Sequence, residues 1–274
     1  MVFLALLAVW FGLGRDTSRS RAASPFVLAL ATLTRVVPSV FVPVLWWRWT
    51  WPERLLFGAV SLGLLLPFGF TSSGWGLSSE LTGTGLLGSA RVYSQGFRFN
   101  SGLYPRVEQT VKDITGSSDL TPATVAALMT LIGLTVWLAS RREVSGSQEV
   151  IDRRLLRLLA VPVMAYIALT PVFHPWYLML LLALAVFLPP AKGECGDRWL
   201  LVTPWLYLAA ASVLSYLTYR DPAAFAELTW VTRAEWWPTL ALLAISGFWT
   251  FFAVQAELPA ADPDDQRSAM EVDR

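Results

Sequence analysis

Cysteine and histidine are almost absent from this 274-residue chain, with Cys195 and His174 the single examples of each. A lone cysteine excludes an internal disulfide and any cysteine-cluster metal site, and a lone histidine excludes the two-histidine metal patterns. Charge is scarce as well. Asp, Glu, Lys and Arg make up 15% of the residues, against about 25% in an ordinary soluble domain. The formal net charge of +1 offers nothing to attract nucleic acid. A Walker loop, a GxGxxG turn after a strand, HExxH and GxSxG are all missing, which leaves the soluble nucleotide-binding folds no foothold. Internal repeats and low-complexity tracts are missing too.

Apolar residues take the place of what is lacking. The set AVILMFWYC supplies 55% of the chain, 14 residues are Trp, and the mean hydropathy is +0.51. A bilayer core of about 30 Å is crossed by about 20 mostly apolar residues. Runs of that kind lie at 1–14, 25–47, 55–71, 121–140, 155–171, 176–191, 199–217 and 236–254. They predict an all-α polytopic integral membrane protein with a single multi-span domain over 1–254 and a disordered acidic tail at 255–274. The first run is not patterned as a signal peptide, because no basic residue precedes it and GRDTSRSR follows it.

Orientation is read from Lys and Arg, which favour the cytoplasmic side. If 25–47 crosses once, the basic residues outside it divide 11 to 9, which is no bias; if it dips in and returns, they divide 14 to 6. Arg35 lies near the middle of this run and Pro38 and Pro43 interrupt it, so helical pairing fails there. Such backbone is tolerated at membrane depth only where protein or a wet cavity covers it. The expected architecture is therefore about seven transmembrane helices plus a re-entrant helical hairpin at 25–47. On this topology 72–120 and 218–235 face outward, while the loops at 14–24, 48–54, 141–154 and 192–198 and the tail face the cytoplasm. Trp46, Trp47, Trp49 and Trp51, and again Trp176, Trp230, Trp236 and Trp237, fall where interfaces are expected.

Four places can carry chemistry. Arg35 is a charge in an apolar run, suited either to a phosphate or pyrophosphate or to snorkelling toward the interface. The stretch from Tyr93 to Pro105 sets aromatics beside Arg98, Asn100 and Ser101, a mixture that suits a sugar ring and equally an ordinary capped loop. The turn from Thr170 to Tyr177 puts His174, Trp176 and Tyr177 at the outer surface. There the imidazole can shuttle a proton, donate to a phosphate or simply hold a helix end. Glu80, Glu108, Asp113, Asp119, Asp221, Glu227 and Glu235 form the outer acidic set, and no spacing among them singles out a general base.

Three of these stretches share a resemblance. Leu-Ala-Thr-Leu-Thr-Arg35-Val-Val-Pro38 with Pro43 resembles the T-K-x-x-P … P re-entrant segment of GT-C type polytopic glycosyltransferases. Phe99-Asn100-Ser101-Gly102-Leu103-Tyr104 resembles the F-N-x-S-L-Y loop of the bacterial family-87, mannosyltransferase-like branch, and Phe173-His174-Pro175-Trp176-Tyr177 its H-P-W-Y turn. Order and spacing also fit, over roughly 25–190.

The resemblance implies a GT-C-like fold in the cell (plasma or inner) membrane with its active face extracytoplasmic. It implies transfer of a sugar, mannose by similarity, from a polyprenyl-phosphate donor to a lipid-linked or envelope glycan acceptor. Arg35 would stand in the family's Lys position near the lipid phosphate, although a guanidinium is a planar fork where an ammonium is a point charge. Arg98, Asn100 and Tyr104 would line the sugar or acceptor site, with His174 and Tyr177 at its mouth. No cofactor is implied beyond the donor lipid, and a carboxylate-bound divalent ion stays open. The family's acidic base belongs to a first external loop that would precede Met1, so the chain is expected to correspond to the C-terminal part of such an enzyme. Two other readings stand beside this one. Broken helices and a buried Arg also suit a transporter or lipid flippase, and a missing base suits a non-catalytic subunit of a split enzyme.

Overall fold

The N-terminal apolar run forms helix α1 (Val2–Leu13), which packs antiparallel to α2 (Ser18–Thr34). In this computed structural model residues 1–13, 18–35, 37–69, 98–141, 148–187, 202–220 and 229–256 are described. The expected features at 72–97, 192–198 and 257–274 lie outside the described residues. Helix α2 stops just short of Arg35, and the chain continues as a 3-10 turn (Val37–Phe41) and the short α3 (Val42–Leu45). The break falls where Pro38 removes a donor and biases the residue before it away from helix.

Beyond the break the chain turns back. Trp49 Nε1 donates to Ser24 Oγ at 3.1 Å, so the two ends of 25–47 meet, and Ser24 in turn donates to the Ala8 carbonyl at 2.8 Å. All three groups are buried in one small polar knot. Helix α4 (Trp51–Gly69) then starts with one half of a capping box, the Glu53 carboxylate accepting from the Thr50 N–H at 2.6 Å.

The second half supplies α5 (Tyr104–Thr115), α6 (Thr121–Arg141), α7 (Gln148–Leu169), a 3-10 turn (Pro175–Tyr177), α8 (Leu178–Ala185), α9 (Thr203–Ala211), a 3-10 stretch (Ser212–Arg220) and α10 (Thr229–Ala256). The described residues are mostly helical and hold no strand. Helix α7 packs between α6 and α8, and α9 lies against α10. One buried apolar cluster runs from Ala5 in α1 to Trp236 in α10. Opposite the break, Trp47 Nε1 donates to the Trp137 carbonyl at 3.1 Å, Arg141 lies over both indoles, and Arg48 pairs with Asp152 at 2.9 Å.

Helix ends and apolar runs do not coincide. Helix α2 begins inside the stretch expected as a loop at 14–24, α7 takes in the charged turn ahead of its apolar run, and α10 begins inside the loop expected at 218–235. Arg, Gln and Glu are good helix formers, so polar composition marks where hydrocarbon would end rather than where the helix ends.

Among the described residues one helix, α6, is long and apolar enough to cross a membrane, with a mean hydropathy of 1.8 over its best window. Its outer face carries Leu131 (60% exposed) and Leu134 (49%). The hydroxyls of Thr124, Thr130 and Thr135 turn back onto carbonyls four residues earlier, at 2.8–3.1 Å. Phe3, Trp10, Leu62 and Phe248 likewise point outward, so apolar side chains cover the outside of the bundle as well as the inside.

Removing the Ser24 hydroxyl strands the buried Trp49 N–H. Ser24→Ala is expected to lower the unfolding free energy by about 1–3 kcal/mol, read as a lower thermal midpoint of the detergent-solubilised chain. An unchanged midpoint would show that the hairpin does not depend on this knot.

Candidate functional site

Two irregular stretches hold one another. Helix α7 ends at Leu169, and the Pro171 and Pro175 rings keep the turn that follows from becoming helical. The turn's exposed backbone groups are taken by the stretch ahead of α5. Phe99 N–H donates to the Pro171 carbonyl (3.2 Å), Phe173 N–H to the Phe99 carbonyl (2.8 Å) and Leu103 N–H to the Ala168 carbonyl (2.8 Å). Phe99 and Val172 thereby form an isolated parallel bridge. Thr170 Oγ1 braces the turn from within by donating to the Val172 carbonyl at 2.9 Å.

This pairing brings the two sequence motifs onto one site. The buried His174 ring stacks on Phe99 (centroids 4.8 Å apart) and on Trp176 (4.2 Å, 11° between planes), with Tyr177 edge-on at 5.7 Å. Its Nδ1 is buried with no hydrogen-bond partner among the described residues. Burial, and then the positive charge of Arg35, hold its pKa below the ordinary 6.5, so the ring is neutral at neutral pH. Arg35 is exposed, its guanidinium 5.4 Å from the centre of the Tyr177 ring. No ion-pair partner for it occurs among the described residues.

Arg98 and Tyr104 stand together on the α5 side. The guanidinium pairs with Glu108 at 3.0 Å and lies over the Tyr104 ring at 4.7 Å. Burial raises the Tyr104 pKa above its usual 10.0, with Arg98 opposing and Glu108 adding to the shift, so the phenol keeps its proton. Arg98 is thus engaged with Glu108 and Tyr104 while its side chain stays partly exposed.

Asn100 faces α10. Its backbone has φ +49°, a left-handed conformation that Asn tolerates better than most residues. Its buried side chain donates Nδ2–H to the Glu235 carboxylate, and its carbonyl accepts from Trp236 Nε1 at 3.2 Å. Asn100 Oδ1 has no hydrogen-bond partner among the described residues. Glu235 is fully buried, and sequence reasoning left it undistinguished in the outer acidic set. Its signal was a lone carboxylate beside two indoles at the edge of an apolar run. Of the other acids described, Glu108 is paired with Arg98 and Asp113 accepts from Gln109 at 2.7 Å. Glu80, Asp221 and Glu227 lie outside the described residues.

A groove of about 640 Å³ opens along the 3-10 turn that follows Arg35, walled by Val37, Val40 and Pro43, Leu134 of α6, and Pro162 and Tyr166 of α7. Its walls are chiefly apolar. Tyr166 connects it to the charged cluster, its ring 6.1 Å from that of Tyr177. A cation and a neutral imidazole thus meet at Tyr177, whose neighbour Tyr166 is part of the wall of the apolar cleft. The described residues contain no cluster of His, Cys, Asp or Glu able to hold a metal ion.

Compared with known proteins, the chain matches no family model, no curated protein and no solved structure.

Two outcomes follow from the site. Gly102 lies under Trp236, where an added Cβ would sit 2.6 Å from the ring. Gly102→Ala is thus expected to cost about 1–3 kcal/mol through overpacking, measured by thermal or chemical unfolding, and an unaffected variant would contradict the close packing. For His174 the folded pKa lies below the unfolded one, so the unfolded chain gains a proton that the buried ring refuses. Its contribution to stability is complete above pH 6.5 and is lost as the pH falls from there toward the depressed folded value. The thermal midpoint is expected to drop between about pH 7.5 and about pH 5.5, and by less in His174→Gln. Equal drops would show that the ring is not held neutral.

Proposed function

We propose that this chain is part or all of a membrane glycosyltransferase of GT-C-like architecture, taking a sugar from a polyprenyl-phosphate donor. The observation that carries the reading is the Arg35 guanidinium, over Tyr177 and beside neutral His174, with Tyr166 linking Tyr177 to an apolar groove. That combination suits an amphiphile with a phosphate head and a long hydrocarbon tail. The exposed leucines and aromatics on α1, α4, α6 and α10 suit a bilayer around the bundle. The fold-back of 25–47 suits a re-entrant hairpin whose tip carries Arg35.

In such a reaction the acceptor hydroxyl attacks the anomeric carbon and loses its proton to a carboxylate base. The bond between that carbon and the phosphate oxygen breaks, and polyprenyl phosphate leaves. Arg35 would stabilise the charge that grows on the departing phosphate. His174 would donate Nε2–H to a phosphate or sugar oxygen, a role open to the neutral ring in its Nε2–H tautomer. Phe99 and Trp176 fix its ring plane.

A photoreactive polyprenyl-phosphate analogue added to membranes containing the chain tests binding apart from turnover. Arg35→Gln is expected to weaken labelling about tenfold, the effect of one charge-assisted contact, with sugar transfer reduced in parallel. Undiminished labelling would overturn the site. Lipid flipping by the purified chain in liposomes without sugar transfer would favour a transporter instead.

A further inference from the structure

A second cavity, of about 460 Å³, lies between the start of α5 and the first turns of α10 and shares no lining residue with the groove along the hairpin. Its α10 wall is one helix face: Thr229, Thr232, Arg233, Trp236, Trp237 and Leu240 follow at spacings of three and four. Along that face the chemistry changes over about 16 Å of helix rise. Hydroxyls and a guanidinium come first, then two indoles, then a leucine. Arg106 supplies a second guanidinium from α5.

Both arginines are exposed, neither has an ion-pair partner among the described residues, and no carboxylate lines the cavity. The nearby acids are occupied elsewhere, Glu108 by Arg98 and Glu235 by Asn100. The wall is also fixed in place. Trp236 is held by its bond to the Asn100 carbonyl, by the edge of Phe173 at 5.5 Å and by the bare Gly102 backbone beneath it.

We propose that this cavity binds the phosphate head of an anionic amphiphile, its phosphate between Arg106 and Arg233 and its apolar part along Trp237 and Leu240. Two planar guanidiniums match phosphate oxygens in paired hydrogen bonds, and indoles favour the level at which lipid headgroups lie. The site is separate from the proposed donor site, and it lies against the Asn100 loop that borders it.

Native mass spectrometry of the detergent-solubilised chain, with phosphatidylglycerol or phosphatidylcholine added, tests this. The unsubstituted chain is expected to retain phosphatidylglycerol in preference to phosphatidylcholine. Combined Arg106→Gln and Arg233→Gln is expected to weaken that retention about tenfold, and Arg106→Lys with Arg233→Lys to keep only part of it, because an ammonium cannot pair two oxygens as a guanidinium does. Displacement of the lipid by inorganic phosphate would mean that the phosphate group alone is recognised, from solution as well as from a membrane. Failure of phosphate to displace it would assign the site to a membrane lipid. No preference in the unsubstituted chain, or an undiminished preference in the double Gln variant, overturns the proposal.

Discussion

Backbone polar groups need partners wherever water is scarce, and this chain leaves regular helix at its most chemically interesting places. The stretches 98–104 and 168–177 solve that problem for one another. Phe99 offers its N–H and carbonyl to Pro171 and Phe173, and Leu103 reaches Ala168. The cost of orphaned N–H and carbonyl groups in an apolar setting makes this pairing the constraint on which the site depends. It places Phe99 against the imidazole, turns Asn100 toward α10 and sets Tyr104 at the head of α5. Residues 65 to 74 positions apart in the chain become one surface through three main-chain hydrogen bonds.

A second constraint is the broken helix. Pro38 stops α2 from running on, and the hairpin that results is closed at its base by Ser24, Trp49 and the Ala8 carbonyl. Its tip leaves Arg35 over Tyr177, without a counter-charge among the described residues. Interrupted secondary structure thus produces both halves of the site, the cation from one break and the imidazole from another. The groove that Tyr166 links to them is apolar because the hairpin, α6 and α7 meet through Val, Leu, Pro and aromatic side chains. A phosphate-headed lipid would find charge and hydrocarbon contacts side by side.

The buried polar pair between Asn100 and Glu235 ties the site to α10. Taking a carboxylate out of water is costly unless donors replace the lost hydration, and the Asn100 amide supplies one such donor. The same residue accepts from Trp236 through its carbonyl. One asparagine in a left-handed conformation therefore joins loop and helix twice. Substitution there would move the wall of the second cavity together with the stacked imidazole, since Trp236 touches Phe173.

Helices were legible in the sequence because long apolar runs have one economical backbone solution. The breaks at Arg35–Pro38 and at Pro171–Pro175 were legible too, since proline removes a donor whatever surrounds it. The resemblance picked out Arg35, His174 and Tyr177, which the fold brings together. It also picked out Arg98 and Asn100, but their partners, Glu108 and Glu235, were beyond its reach. Helix ends were misplaced wherever charged residues continued a helix past its apolar run, as at α2 and α10. Glu235 stayed hidden because a carboxylate's role depends on what faces it, and its partner lies 135 residues away. Composition and proline placement determined the elements and their interruptions, which are local properties of the chain. Which polar groups meet, which cations stay without an ion-pair partner among the described residues and which carboxylate is buried were decided by tertiary packing alone.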